Sequence, residues 1–375
     1  MRAGARIALM ALVLHAPANA QGTLSTQGLG YPPGLLSARA QAMGGAIGES
    51  DPMSPLNPAA ISLLSAPYVS MQAEPEYREL RVAGQKQRTS VARFPLFTGS
   101  MPIGTRWAAM VSAATLFDRT WAVTARDSQV IGADTIRSTR SQLSDGSIAD
   151  LRFAVAYDVN RWLRVGVAGH AYSGRDDLRM IRLFDDTLRF TGDTQRTVLG
   201  FGGNAISVGA QTVWPRIGAL GVSYRRGGSI STYHGDVAAH TASAPDHFGV
   251  SFMYLGIQGT TLAARLATDS WSRLEGLTPT LQAHEGLDIG LGADVTGPSF
   301  AGASMLLRLG GRWRTLPFSP GATAVKERTY SAGVGLPFAV QRAELNIAVL
   351  RSSRSGPPNL SENAWTISTG FSVRP

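Results

Sequence analysis

The sequence has 375 residues, of which 44% are hydrophobic and only 16% are charged, and it contains 42 glycines and no cysteine. This composition excludes a disordered chain and a small disulfide-stapled domain, and it is atypical of a highly soluble enzyme. The formal net charge is +9, but the basic residues are scattered along the chain, so we do not expect nucleic-acid binding.

Residues 1–20 have the pattern of a secretory signal peptide. Arg2 and Arg6 supply positive charge before an apolar run over residues 7–14. Residues 18–20 read Ala-Asn-Ala, a cleavage site of the A-x-A type. The apolar run is too short to cross a bilayer as a helix, which needs about 20 residues. The chain is therefore predicted to be exported, and no later segment is apolar for long enough to form a membrane-spanning helix.

Residues 21–66 show no alternating pattern and are rich in glycine, proline and serine. Residues 35–43 are compatible with a helix. A second short helix is predicted from Asn57, because asparagine is a favoured N-cap and Pro58 follows at the first helical position. A segment of this length without a strand needs a surface to pack on, and we expect that surface to be the inside of the structure formed by the rest of the chain.

From residue 67 to residue 375, apolar residues alternate with polar or small ones in segment after segment. Residues 151–157, for example, read Leu-Arg-Phe-Ala-Val-Ala-Tyr. The segments reach about 9–11 residues, which is the length of a tilted membrane-spanning strand and exceeds the usual strand of a soluble protein. The second face is rich in Gly, Ala and Ser, as a barrel interior would be. The sequence therefore predicts an all-β, transmembrane, antiparallel barrel, closed because lipid cannot satisfy an open sheet edge.

The alternating segments number about 14, and short connections between them alternate with long ones. The predicted strands begin near Tyr68, Thr89, Thr105, Asp150, Trp162, Ala205, Ile217, His247, Thr260, Gly286, Phe300, Thr329, Arg342 and Ala364. The long connections include residues 118–148, 174–203 and 225–246, which we interpret as external loops. This is the pattern of barrels in the outer membrane of Gram-negative cells.

Aromatic residues near strand ends are expected to form interfacial girdles, and ordinary core packing is the alternative. They are Trp107, Trp121, Trp162, Trp214, Tyr254, Trp313 and Trp365.

The alternation also directs charged and polar side chains toward the lumen. The main candidates are Glu74, Arg78, Arg152, Arg164, Arg265, Asp288, Arg308 and Glu344, accompanied by Gln72, Glu76, His170, Asp294 and Arg312. An isolated charge in a narrow lumen is costly, so we expect these groups to pair with one another or with the N-terminal segment, where Arg39 and Asp51 are the expected partners. Two interpretations remain open, which are an arginine that binds a carboxylate head group and a purely structural ladder of ion pairs.

A motif in the N-terminal segment suggests a family. It comprises Arg39, Met43, Gly44, Gly45, Ala46, Asp51, Asn57, Pro58 and Ala59. In order and spacing it resembles the N-terminus of outer-membrane transporters of long-chain fatty acids and other hydrophobic compounds, the FadL-like barrels. Residues 309–313 and 330–336 are similar to the last strands of these barrels. The shuttle barrels of a Bacteroidetes-type secretion system share part of the motif.

The resemblance implies a monomeric barrel of about 14 strands with residues 21–66 as an internal hatch. In the transporters a hydrophobic substrate enters from the outer face, binds in the lumen and leaves through a lateral opening or past the hatch. Contact with the acyl or aromatic body is expected from apolar hatch residues, namely Leu35, Leu36, Met43, Ile47 and Met53. The implied partners are outer-membrane lipid, a hydrophobic small molecule and the barrel assembly machinery.

No catalytic pattern is present in the sequence. There is no Gly-x-Ser-x-Gly elbow and no His-Glu-x-x-His, and the six histidines are dispersed. The sequence therefore predicts a protein that is not an enzyme and uses no cofactor or metal. Passive uptake of hydrophobic molecules is favoured. The alternatives are a secretion-associated barrel that binds a protein partner through its external loops, and a barrel with a filled lumen and a structural role.

Overall fold

The computed structural model describes residues 24–82, 85–131, 134–277, 282–300, 303–338, 342–358 and 360–374. The predicted signal peptide, residues 1–20, lies outside these ranges, as do residues 21–23 of the predicted hatch. No helix within the ranges is long and apolar enough to cross a membrane.

The described residues form sixteen strands in one antiparallel sheet. The strands are β1 Tyr68–Val82, β2 Gln85–Ile103, β3 Trp107–Asp118, β4 Trp121–Ile131, β5 Asp134–Asp158, β6 Leu163–Phe184, β7 Asp193–Trp214, β8 Gly218–His234, β9 Val237–Ser243, β10 His247–Ile257, β11 Thr260–Asp269, β12 Gly286–Phe300, β13 Ala303–Thr315, β14 Lys326–Phe338, β15 Ala343–Ser355 and β16 Leu360–Val373.

Fourteen of these strands close into a barrel. The last strand, β16, pairs with the first, β1, and the wall passes directly from β3 to β5 and from β8 to β10. The two remaining strands lie outside this circle, because β4 pairs with β5 and β9 pairs with β8. The predicted closed antiparallel barrel of 14 strands is confirmed.

The regions predicted as long external loops are largely strand, which corrects that prediction. The upper parts of β5 to β8, with β4 and β9 at the edges, continue the wall as an extension beyond the barrel. β9 is exposed along nearly its whole length, as are the first five residues of β7. Water reaches both faces of such strands, so they lack the apolar alternation by which the barrel strands are detected.

The two ends of the barrel differ. Short turns join β5 to β6, β7 to β8 and β10 to β11 at the end where β1 begins and β16 ends. The extension rises from the opposite end. In outer-membrane barrels short turns are periplasmic and long connections are external, so we call these the periplasmic and external ends.

The outward face of the barrel is apolar and bears aromatic residues near both ends. Trp107, Trp162, Trp214 and Tyr254 are exposed near the periplasmic end. Trp313 and Trp365 lie nearer the external end. Trp121 was predicted to join a girdle, but it belongs to β4 in the extension and lines a cavity there, so that part of the prediction is wrong.

The hatch, as described in residues 24–66, contains no strand. It holds 3-10 helices at Leu24–Thr26 and Pro58–Leu63 and one α-helix, α1, at Ala38–Ala42. Ser37 Oγ accepts a hydrogen bond from the Ala40 amide at 3.1 Å, and Asn57 Oδ1 accepts one from the Ala59 amide at 2.9 Å. The cap at Asn57 is the predicted one, whereas α1 is shorter than the helix-compatible run over residues 35–43 and starts after Ser37. α1 contacts β13 to β16, and Pro58–Leu63 contacts β3 and β5 to β7, so the hatch sits inside the barrel.

Candidate functional site

Glycines on the inner wall allow the hatch backbone to touch the strands. A side chain at Gly310 of β13 would collide with the backbone of Met43 and Gly44, and one at Gly292 of β12 would collide with Met43. A side chain at any of six more wall glycines would also collide with hatch atoms. These glycines are Gly166, Gly209, Gly221, Gly249, Gly290 and Gly333. The wall is therefore shaped to the hatch on seven of its fourteen strands.

The glycine pair of the hatch motif makes the turn that follows α1. Gly44 and Gly45 have φ angles of 62° and 77°, which side-chain-bearing residues rarely adopt. The Gly44 amide donates to Ser331 Oγ at 3.1 Å, and that hydroxyl donates to the Ala42 carbonyl at 3.0 Å. A Cβ added to Gly44 would also collide with the backbone of Gly311. The turn thus fastens the hatch to β13 and β14.

A buried ion pair fastens the hatch to β11, two strands from β13 in the wall. Arg265 Nε lies 2.8 Å from Glu49 Oε2, and its Nη2 lies 2.9 Å from Oε1. Arg265 Nη1 also donates to Asp288 at 2.6 Å, and Asp288 in turn accepts from Arg312 at 2.7 Å. Burial acts to raise the pKa of Glu49, but the charge of Arg265 and the hydrogen bonds from His247 and Arg265 outweigh it and hold this pKa below its ordinary value.

Arg39 and Asp51 were expected to anchor the hatch to the barrel wall, but neither forms the ion pair with the wall that Glu49 forms. The Asp51 carboxylate accepts from Ser37 Oγ at 2.5 Å and from Ser54 Oγ at 2.7 Å, so its bonds brace the hatch internally. Arg39 Nε is buried without a hydrogen-bond partner in the described part of the chain. Glu49 takes the anchoring role because its side chain reaches the wall, a direction that residue type alone does not reveal.

Tyr31 of the hatch sits in a cage of four arginines in the external half of the lumen. The guanidinium groups of Arg78, Arg93, Arg314 and Arg354 lie 5.7, 5.0, 4.9 and 4.6 Å from its ring centroid. Their charges are balanced by buried carboxylates of Asp118, Glu76, Glu327 and Glu362. Burial raises the pKa of the Tyr31 hydroxyl, although Arg314 opposes that shift. No pattern in the sequence points to Tyr31, whereas the inward positions of Glu327, Arg354 and Glu362 follow from the strand alternation.

Most lumen charges named from the sequence lie in ion pairs or hydrogen-bonded clusters. Arg78 pairs with Glu76 at 3.0 Å, and Arg164 pairs with Asp158 at 3.3 Å. Arg308 pairs with Asp294 at 3.0 Å and with Glu344 at 3.5 Å. Glu74 accepts from Gln41 of the hatch, from Gln72 and from Ser368.

Arg152 differs from these residues. It is 4% exposed, yet its Nε, Nη1 and Nη2 atoms have no hydrogen-bond partner among the described residues. His170, beside it on β6, is held by Asp150 and by Ser207. Arg152 thus presents an unsatisfied buried cation to the lumen.

Two cavities border the hatch. An inner cavity of about 70 Å³ is bounded by Leu35, Leu36 and Leu56 of the hatch and by Leu116 and Trp271 of the wall and its connections, and charged wall residues, among them Arg265, Asp288 and Arg312, complete its lining. An external cavity of about 500 Å³ is lined in part by Leu29, Phe201 and Phe318. Of the five residues expected to contact a ligand, Leu35 and Leu36 therefore border a cavity. Met43 and Ile47 pack in one apolar group with Ala263, and Met53 packs with Leu64 and Tyr68.

One apolar cluster forms part of the wall of both cavities. Leu29, Phe201 and Phe318 face the external cavity, and Leu116 and Trp271 face the inner one. Phe117 joins them, with ring centroids 5.3 Å from Trp271 and 5.7 Å from Phe318. Apolar side chains of a single cluster therefore connect the linings of the two cavities.

Comparison with known proteins shows a shared fold. The structure matches a Pseudomonas aeruginosa FadL homologue with a TM-score of 0.62, at 11% identity over 92% of this chain and 99% of that chain. It matches the Pseudomonas putida toluene transporter TodX with a TM-score of 0.59, at 12% identity over 92% and 100%. The CymD monoaromatic hydrocarbon channel gives 0.58, at 15% identity over 91% and 97%. No protein-family model and no curated protein matches the sequence. The resemblance to FadL-like barrels is confirmed at the level of the fold, and two of these similar proteins are described as a toluene transporter and a monoaromatic hydrocarbon channel.

Proposed function

We propose that this protein is an outer-membrane channel for the passive uptake of small hydrophobic molecules, with the hatch as its gate. The observation that carries the proposal is the apolar cluster that borders both cavities, because the inner cavity is also lined by Leu35 and Leu36 of the hatch. Hydrophobic molecules gain free energy on leaving water for such a surface. The fold is that of channels for monoaromatic hydrocarbons and of a toluene transporter, which supports the same class of substrate.

The proposed route begins in the external cavity, which has the size of a typical small-molecule pocket. A molecule moves along the apolar cluster past Phe117 to the inner cavity, where it displaces Leu35 and Leu36. The inner cavity is small, so a ligand larger than about one aromatic ring requires the hatch to shift. No bond is made or broken, and the driving force is the concentration gradient.

The hatch motif has separate roles in this proposal. Gly44 and Gly45 form the close-packed turn, with Met43 and Ala46 buried beside it. Asn57, Pro58 and Ala59 begin the short helix that leads into β1, and Asp51 braces the loop between the two helices. Export by residues 1–20, residence in the outer membrane and insertion by the barrel assembly machinery belong to the same proposal.

Uptake by cells tests the proposal. A strain that lacks transporters of this class would express the full chain, and the initial rates of labelled toluene and long-chain fatty acid accumulation would be compared with an empty vector. Phe318→Asp places a charge in the apolar route and should abolish the gain in uptake. Phe190→Asp is the matched control, because Phe190 contacts Phe184 in the extension, away from the cavity linings described above. Equal uptake with the chain and with the empty vector would refute the proposal.

A further inference from the structure

The outward face of β1, β2 and β14 to β16 changes abruptly from apolar to basic near the external end. Lower on this face the outward side chains are apolar, as at Met71, Phe97, Val349 and Ile367, which are all exposed. Tyr77 begins an aromatic row that crosses the strands through Trp365, Arg351 and Tyr330. Aromatic rows of this kind mark the level at which hydrocarbon meets lipid head groups.

Two rows above the aromatic one are strongly basic. One row carries Arg88, Glu79, Asn363, Ser353 and Arg328, and the next carries Lys86, Arg81, Ser361, Ser355 and Lys326. We call the six basic side chains the basic face, which comprises Arg81, Lys86, Arg88, Lys326, Arg328 and Arg351. Glu79 is the single acid in these three rows, and it contacts Arg81 at 2.9 Å, Arg88 at 3.3 Å and Lys86 at 3.8 Å.

Three residues of the basic face, Arg81, Arg88 and Arg351, line a recess on the outside of the barrel together with Glu79. The recess has a volume of about 550 Å³, and its lining includes Tyr77, Trp365, Arg81, Arg88 and Arg351. Arg351 stacks over the Trp365 ring with its guanidinium carbon 5.0 Å from the centroid, which fixes its position while leaving its N–H groups free to donate. The side chains of Arg81 and Arg88 are 49% and 80% exposed. Most of the positive charge at the recess is thus open to an anion.

We propose that this recess binds the phosphorylated head group of an outer-leaflet glycolipid. Guanidinium groups bind phosphate through paired hydrogen bonds, and each basic side chain near a charged membrane surface adds to the attraction. The apolar rows directly below fit the acyl chains of the same molecule, which neither a free phosphate nor a soluble acidic protein would supply. This inference rests on the outer-membrane location in the proposed function and is independent of what the lumen carries.

Lipid binding to the purified full-length protein tests the inference. Diphosphorylated lipid A is titrated in detergent and bound lipid is counted by native mass spectrometry, with a dephosphorylated form and inorganic phosphate as comparisons. The triple variant Arg81→Gln, Arg88→Gln and Arg351→Gln should weaken binding by roughly 100-fold, about five-fold for each lost charge. The variant Arg126→Gln, Arg137→Gln and Arg175→Gln, exposed residues of the extension, makes the same change of charge elsewhere and should bind as the wild type does.

A variant that is expected to bind the lipid more tightly provides an independent test of the inference. Glu79→Gln removes the acid that competes for Arg81 and Arg88, so it should tighten binding by about five-fold. Equal weakening in both triple variants, equal binding of the dephosphorylated lipid, or full competition by inorganic phosphate at an equal concentration would overturn the inference. Hydrophobic uptake is measured separately, so a protein that binds the glycolipid but does not transport would refute only the proposed function.

Discussion

The Glu49 carboxylate in the hatch and the Arg265 guanidinium in β11 form a buried ion pair with contacts of 2.8 to 3.1 Å. Neither carboxylate oxygen reaches solvent, because Glu49 is 0% exposed. The pair joins the hatch to β11, two strands from β13, where the glycine turn makes its contact. Opening of the hatch must therefore break this pair or move the Arg265 side chain together with Glu49.

The first prediction is that Glu49→Gln loosens the hatch. Removing one partner of a buried pair typically costs about 3 kcal/mol or more, although Asp288 still contacts Arg265 in the variant. The chain has no cysteine, so a cysteine introduced at the buried Ala46 reports hatch opening through its labelling by a maleimide. We expect faster labelling in Glu49→Gln, whereas Glu275→Gln, at an exposed residue, should label at the original rate. An unchanged rate in both would show that Glu49 is not the anchor.

The second prediction concerns pH. The pKa of Glu49 is lower in the folded protein than its ordinary value, so its contribution to hatch seating is complete above the unfolded pKa of about 4.3 and is lost as the pH falls through the folded pKa. Because maleimides react with the thiolate and all labelling slows in acid, the rate at position 46 is divided by the rate at a solvent-exposed reference cysteine. This ratio should stay low from pH 8 to about pH 5 and rise below about pH 4. Other carboxylates also protonate there, so the difference from Glu49→Gln is the quantity measured. That difference should shrink in acid, and a constant difference would contradict the prediction.

The third prediction uses the wall glycines. A valine at Gly310 would overlap the backbone of Met43 and Gly44, and the hatch must yield because the strand ladders on both sides of β13 are regular around Gly310. Overpacking of this kind costs about 1–3 kcal/mol. We expect more frequent or larger open events in planar-bilayer recordings of Gly310→Val. Gly169→Val is the control, since its Cβ would meet no atom within 4 Å. Similar recordings for both variants would rule out a sealing role for the glycine contact.

The barrel could be predicted from the sequence because lipid outside and a crowded lumen inside impose a period of two on every strand. Where the strands leave the membrane, as in β4 and β9, both faces are wet and the pattern disappears, so the extension was missed. The helix starts at Ser37 and Asn57 depend on local hydrogen bonds and were close to prediction.

The contacts between hatch and wall were less predictable than the strands. Glu49 and Arg265 are separated by 216 positions in sequence, and only the closed barrel brings them together. Asp51 was the more conspicuous acid in the motif, but the direction of its side chain depends on the loop conformation around Ser37 and Ser54. Tyr31 is one aromatic residue in an irregular segment, and its four arginines come from β1, β2, β13 and β15.

The final prediction distinguishes the two interpretations of the lumen arginines. Arg152 is outside the hydrogen-bonded ladder, since its three guanidinium nitrogens lack partners within the described ranges. A carboxylate head group would satisfy it, and hydrogen bonds to a charged group are worth about 1.5–3 kcal/mol. Arg152→Met should therefore reduce saturable uptake of a long-chain fatty acid by about ten-fold or more and leave toluene uptake unchanged.

The control for Arg152→Met is Arg164→Met, which removes an inward arginine that already pairs with Asp158. The thermal stability of both variants is measured without ligand. Because an unsatisfied buried cation is costly, Arg152→Met should be as stable as the wild type or more stable, so a selective loss of fatty-acid uptake would not reflect unfolding. Equal loss of fatty-acid and toluene uptake, or no loss of either, would assign Arg152 to the structure of the wall and not to the recognition of a carboxylate.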